Sequence, residues 1–134
     1  MHIHKTPNER TWPEKFAHAF RGVGAAIPAD KTFKVHLSVG FLSLLAAAAL
    51  QPTKAGFGAA QWAVLCLCIT LVLTAEMGNS ALESIAKAVA SEDNEHVARC
   101  LDIGAGMVLV AAFGAIAAGA ILFIHQFGVL AGCW

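Results

Sequence analysis

From Ala55 to Ala75 the chain carries no charged side chain, and the run then breaks into Glu76-Met77-Gly78-Asn79-Ser80-Ala81-Leu82-Glu83. At roughly 1.5 Å of rise per residue, an uncharged helical run of about 20 residues crosses the ~30 Å hydrocarbon core of a bilayer. Two more windows share this character, Val35–Leu50 and Ile103–Ile124. The first covers only roughly 24 Å. It is therefore expected to borrow Thr32 to Lys34, with Lys31 and Lys34 reaching back to the polar boundary. The residues are 57% apolar and 13% charged, tyrosine is absent, and mean hydropathy is +0.65, which excludes an ordinary soluble domain. The expected fold is an all-α integral membrane protein with spans at about 33–50, 57–77 and 103–124.

Charge placement orients those spans. Every Asp and Glu, and every Lys and Arg except Lys54, lies before the first span or between the second and third. By the positive-inside rule the N-terminus and the loop 84–102 face the cytoplasm, and Trp134 lies outside. The polar start, Met1-His2-Ile3-His4-Lys5, lacks the apolar segment of a cleavable signal peptide, so none is expected. Residues 1–13 read as a disordered tail, 14–127 as one membrane domain and 128–134 as a short external tail. Cys66 and Cys68, two residues apart in mid-span, point to different sides of a helix and serve as apolar filler.

Before the first span, Phe16, Phe20, Val23 and Ile27 recur at helical spacing while Glu14, Lys15, His18 and Arg21 occupy other sides. Pro13 suits the start and Pro28 the exit of an amphipathic helix lying on the inner leaflet. The turn 51–56 is expected to carry little machinery. In the third span Ala111, Ala115 and Gly119 form a small-xxx-small stripe that seeks a close helical partner.

The chemistry concentrates where the second span ends. Glu76, Asn79 or Ser80, and Glu83 fall on one helical stripe. A carboxylate at the border of a span faces protein, water or metal, because lipid solvates it badly; solvation at headgroup depth is the plainer alternative. Asp30 precedes the first span and Asp102 opens the third, so four acids gather at one membrane level. An oxygen-only set with no His or Cys beside it in the sequence favours Mg²⁺ over zinc, and Mg²⁺ completes its shell with water and phosphates. Nucleotide chemistry at a membrane surface follows. A P-loop is absent from the sequence.

The block Glu76-x-x-Asn79-Ser80-Ala81-x-Glu83, followed by Leu101-Asp102-Ile103-Gly104-Ala105-Gly106, resembles the prokaryotic diacylglycerol kinase family, which also includes undecaprenol kinases. The likeness runs from about Phe16 to Leu122. It implies an N-terminal surface helix, three spans and a homotrimer in the bacterial cytoplasmic (inner) membrane, with active sites at subunit boundaries. It also implies transfer of the γ-phosphoryl of Mg-ATP to a lipid alcohol, with no nucleic-acid partner. By match Glu76 is the base, Asn79 lies between the acids, and Glu83 and Asp30 are ligands of Mg²⁺. His18, Glu92, Asp93, Asn94 and Asp102 fall among the nucleotide-binding positions.

The chain departs from the family pattern twice. Leu101 stands where the family commonly has a Lys that contacts phosphate, and Lys87 stands where it commonly has an Asp. Lys87 or Arg99 are the cations placed to compensate. Diacylglycerol is the expected acceptor, undecaprenol is the alternative, and a catalytically silent oligomeric membrane protein of the same fold is the rival from another class. Phe33-Lys34-Val35-His36 leans towards the undecaprenol-type members, with His36 otherwise a polar residue at the membrane border.

Overall fold

The computed structural model describes residues 11–29, 31–89 and 94–133 and is all-helical across them. Four helices follow in order: α1 (Trp12–Ala29), α2 (Lys31–Leu50), α3 (Ala59–Val89) and α4 (Glu95–Ala131). The last three are long and apolar enough to cross a membrane. α3 has 31 residues and α4 has 37, about 46 and 55 Å of helix at 1.5 Å each. Both therefore outrun the hydrocarbon core, and the excess of α3 carries Glu83. α4 continues past residue 124 to Ala131, where Gly132 (φ 80°) closes it in the left-handed conformation that favours glycine.

α1 starts at Trp12 because Thr11 caps it: the Thr11 amide and hydroxyl both donate to the Glu14 carboxylate, at 2.8 and 3.1 Å. Its apolar residues Phe16, Phe20, Val23 and Ile27 are exposed, Phe20 by 74%, and only Ala26 is buried among the described residues of this helix. A helix with that face uncovered suits an interfacial position.

α2, α3 and α4 run antiparallel in succession. At the end remote from Glu76, Ala47, Leu50, Ala55, Phe57 and Leu65 form a buried cluster against Leu122, Phe123 and Val129. The turn before α3 is more organised than the sequence suggests. Gln51 Oε1 accepts from the Phe57 amide (3.1 Å) and from Trp62 Nε1 (3.4 Å), while Gln51 Nε2 donates to the Phe57 carbonyl (3.2 Å). Phe57 in turn packs on Trp62 and Phe123, with ring centroids 5.9 and 5.4 Å apart. These contacts fix the register between helices and so determine what meets at the other end.

The stripe on α4 finds its partner inside the chain. Ala111 is buried against Val72 and Ala75 of α3, and Ala115 packs on the same cluster. The close helical partner expected for this stripe is α3 at Ala111 and Ala115: small side chains are spent on bringing α4 close to α3. Gly104 serves the same end. A Cβ there would stand 2.7 Å from Asn79 Oδ1 and 2.9 Å from Leu82 Cδ1, closer than side chains tolerate. Gly104→Ala is expected to destabilise the chain by about 1–3 kcal/mol through overpacking. Gly106, with nothing within 4 Å, is the control, and Gly106→Ala should be neutral or stabilising by up to ~1 kcal/mol. Unfolding of both variants in mixed micelles checks the contrast.

Candidate active site

The polar stripe at the end of α3 is where three helices converge. Glu76 and Asn79 are buried and Glu83 is half-buried. Glu76 is only 1% exposed, so solvation at headgroup depth does not account for it. Its partner comes from α2: His36 Nδ1 lies 2.5 Å from Glu76 Oε1, with the His36 side chain 22% exposed. Sequence reasoning left His36 as a border residue and found no histidine beside the acids. The structure corrects both points. The two residues are 40 positions apart, and only the antiparallel pairing of α2 with α3 joins them.

One turn further along α3, Asn79 Nδ2 donates to Glu83 Oε1 at 3.0 Å. Lys87 Nζ stands 4.0 Å from Glu83 Oε2, exposed and one turn on, a spacing worth little as a salt bridge. Asn79 and Glu83 line two clefts. One, of about 370 Å³, also takes in Thr32, His36 and Glu76 from α2 and α3 and Ala105 from α4. The other, of about 420 Å³, contains Lys87 together with Leu101 and Asp102 of α4. A third hollow, of about 380 Å³, is an apolar groove along α2, α3 and α4 that starts at His36 and reaches Phe123. His36 lines both this groove and the cleft holding Glu76, which places one imidazole between lipid-facing and acid-lined space.

The other positions singled out from the sequence are distributed unevenly. Asp102 reaches the cleft with Glu83 and Lys87; Arg99 is not among the residues lining it. Asn94 is the N-cap of α4, its side-chain oxygen accepting from the amides of His96 (3.0 Å) and Val97 (3.4 Å). His18 lies on exposed α1 with Arg21 Nη2 3.3 Å from its Nδ1, and it is not among the residues lining either cleft. Asp30, Glu92 and Asp93 lie outside the described residues.

Comparison with known proteins bears on this arrangement. The prokaryotic diacylglycerol kinase model matches residues 17–123. The chain belongs to the prokaryotic diacylglycerol kinase family. A diacylglycerol kinase from Synechocystis sp. is 32% identical over 110 residues, covering 81% of this chain and 60% of that protein. The chain therefore spans about three-fifths of the length of this curated relative. Within the family match fall α2, α3 and the part of α4 that carries Asp102 and Gly104.

For this diacylglycerol kinase family member, the donor set around Glu83 suits a hydrated magnesium ion. Among the described residues no group of three or more His, Cys, Asp or Glu is placed to hold a metal. Glu83, half-buried and held by Asn79 on one oxygen, offers its carboxylate to both clefts, and one carboxylate is enough for Mg²⁺, which keeps several waters and takes phosphate oxygens for the rest. His36, the one imidazole lining these clefts, is turned to Glu76 instead.

Proposed function

We propose that this protein is an ATP-dependent lipid kinase that transfers the γ-phosphoryl group of Mg-ATP to a membrane lipid alcohol, diacylglycerol giving phosphatidic acid. One observation carries the reading: half-buried His36, paired with buried Glu76, lines both the apolar groove and the cleft that holds Asn79 and Glu83. A lipid hydroxyl and a nucleotide phosphate thus approach one point from opposite sides. The family match and the name of the relative support the acceptor.

Each residue has a task in this mechanism. Glu83, with Asp30 by family resemblance, would hold Mg²⁺, which supplies charge neutralisation on the phosphate oxygens. Asn79 orients Glu83 through the 3.0 Å hydrogen bond. Lys87 and Asp102 flank the phosphate side, and Lys87 supplies the positive charge that Leu101 does not. The acceptor oxygen forms a bond to the γ-phosphorus, the bond from that phosphorus to the bridging oxygen breaks, and ADP leaves. The hydroxyl proton passes to the Glu76–His36 pair. Proton transfer of this kind is worth about 10²–10⁴ in rate, and positioning with charge neutralisation carries the remainder.

Purified protein incubated with labelled ATP and Mg²⁺, with diacylglycerol or undecaprenol supplied separately, tests the reading. Label in phosphatidic acid alone is the expected result; label only in the undecaprenyl product reassigns the acceptor, and none in either supports a silent family member. The site also requires the acidic end of the bundle in the cytoplasm of a bacterial inner membrane, and a homotrimer would complete it at the subunit boundary. Cys100 and Cys133 are both exposed on or just beyond α4, and roughly 33 helical steps set them about 50 Å apart, on opposite membrane faces. In intact cells an impermeant maleimide is expected to label Cys133 and spare Cys100. The reverse pattern would overturn the topology.

A further inference from the structure

We propose that His36 is the general base of this site, taking the acceptor's proton on Nε2, with Glu76 orienting the ring through Nδ1. The proposal rests on the lipid-kinase reading and assigns the proton to one atom. It begins from hydrogen-bond chemistry. An ionised carboxylate accepts and does not donate, so in the 2.5 Å pair Nδ1 is the donor and Glu76 Oε1 the acceptor. A neutral imidazole that donates from Nδ1 carries its lone pair on Nε2. A hydrogen bond donated to an ionised carboxylate is charge-assisted, and it holds the ring in one tautomer and one orientation.

Access then separates the two residues. Glu76 is 1% exposed and His36 is 22% exposed. His36 lines the apolar groove as well as the acid-lined cleft, whereas Glu76 lines the cleft and is not among the residues of the groove. A hydroxyl delivered by a hydrocarbon chain lying along Val39, Ile69 and Ala115 reaches His36 at the end of that groove. A buried carboxylate behind a half-open imidazole is the relation that lets histidine serve as base in hydrolytic triads, where the carboxylate fixes tautomer and stabilises the imidazolium that forms. Among the described residues, the charged or titratable groups around the pair are few. α3 brings Glu76 and Glu83, and Cys68 further along the groove; α4 brings none to either hollow. α1, which packs on α2 and α3, carries Glu14, Lys15, His18 and Arg21, and α2 carries exposed Lys31 and Lys34 at its start.

The step balances simply. The acceptor's O–H proton moves to His36 Nε2 as its oxygen bonds to the γ-phosphorus and ADP departs with the bridging oxygen. His36 leaves as imidazolium paired with Glu76, and its proton returns to solvent after product release.

His36→Asn is the decisive variant, because the Asn amide reaches the position of Nδ1 and still donates to Glu76 but offers no basic nitrogen at the position of Nε2. With diacylglycerol and Mg-ATP, kcat is expected to fall by about 100-fold or more, the scale of general-base loss, while KM for Mg-ATP stays within about twofold. Imidazole added to His36→Ala should recover part of the lost turnover, a response that a packing defect would not give. A kcat for His36→Asn within about tenfold of the parent, or a His36→Ala variant indifferent to imidazole, overturns the proposal and leaves His36 as a positioning residue for Glu76. A parent protein inert towards every acceptor would instead overturn the kinase reading itself.

Discussion

Glu76→Gln is expected to abolish most turnover, by about 10²–10⁴-fold, while leaving Mg-ATP affinity close to that of the parent. The substitution is nearly isosteric, and Glu76 is buried with His36 as its hydrogen-bonded partner, so the loss would be chemical before it is steric. The carboxylate accepts from Nδ1 and stabilises positive charge on the ring; an amide does neither reliably. If its NH₂ faces His36, the ring is forced into the tautomer with the proton on Nε2, and the basic lone pair turns away from the acceptor. Nucleotide affinity should hold because Asn79, Glu83, Lys87 and Asp102 remain around their own cleft. Equilibrium binding of Mg-ATP measured beside kcat decides the matter. Near-normal turnover would mean that the buried acid serves position alone.

Glu83→Gln should fail in the opposite way. The amide oxygen of the replacement side chain still accepts the hydrogen bond from Asn79 that Glu83 Oε1 takes at 3.0 Å, so the local fold should survive. What disappears is the negative charge that would hold Mg²⁺. Apparent affinity for Mg-ATP is expected to drop roughly 10–100-fold, the scale on which changes around a metal site act, and excess Mg²⁺ should restore part of the activity. Lys87, 4.0 Å from the other carboxylate oxygen, would lose its counter-charge and partly substitute for the cation, which softens the loss. A variant with unchanged Mg²⁺ dependence would remove Glu83 from the metal's neighbourhood.

The pair of substitutions separates two carboxylates that the sequence presents as equivalent. Both lie on one stripe of α3, seven residues apart in the chain. Burial and partners divide them: one is enclosed and tied to an imidazole, the other is half-open and tied to an amide.

Much of this molecule can be read from local patterns. The three helices long and apolar enough to span a bilayer follow from apolar runs, because lipid leaves the backbone no partner but itself and helix is the only structure that satisfies it within one segment. The surface helix follows from the 3.6-residue spacing of Phe16, Phe20, Val23 and Ile27, and the acid stripe from the same period on α3. Family resemblance added the assignment of nucleotide and metal roles to individual residues. None of this needs to know how one helix lies against another.

The remainder depends on register, which single-helix periodicity does not contain. His36 and Glu76, 40 positions apart in the chain, meet because α2 and α3 are pinned at their far ends by Gln51, Phe57 and Trp62. Ala111 and Ala115 read as a stripe in want of some close partner until α3 is seen against them. Gly104 reads as one more small residue until Asn79 Oδ1 occupies the space a methyl would need. Local period decides which residues share a face, since that is set by the geometry of one helix; packing between helices decides which faces meet, and with it which of two like carboxylates is buried against an imidazole.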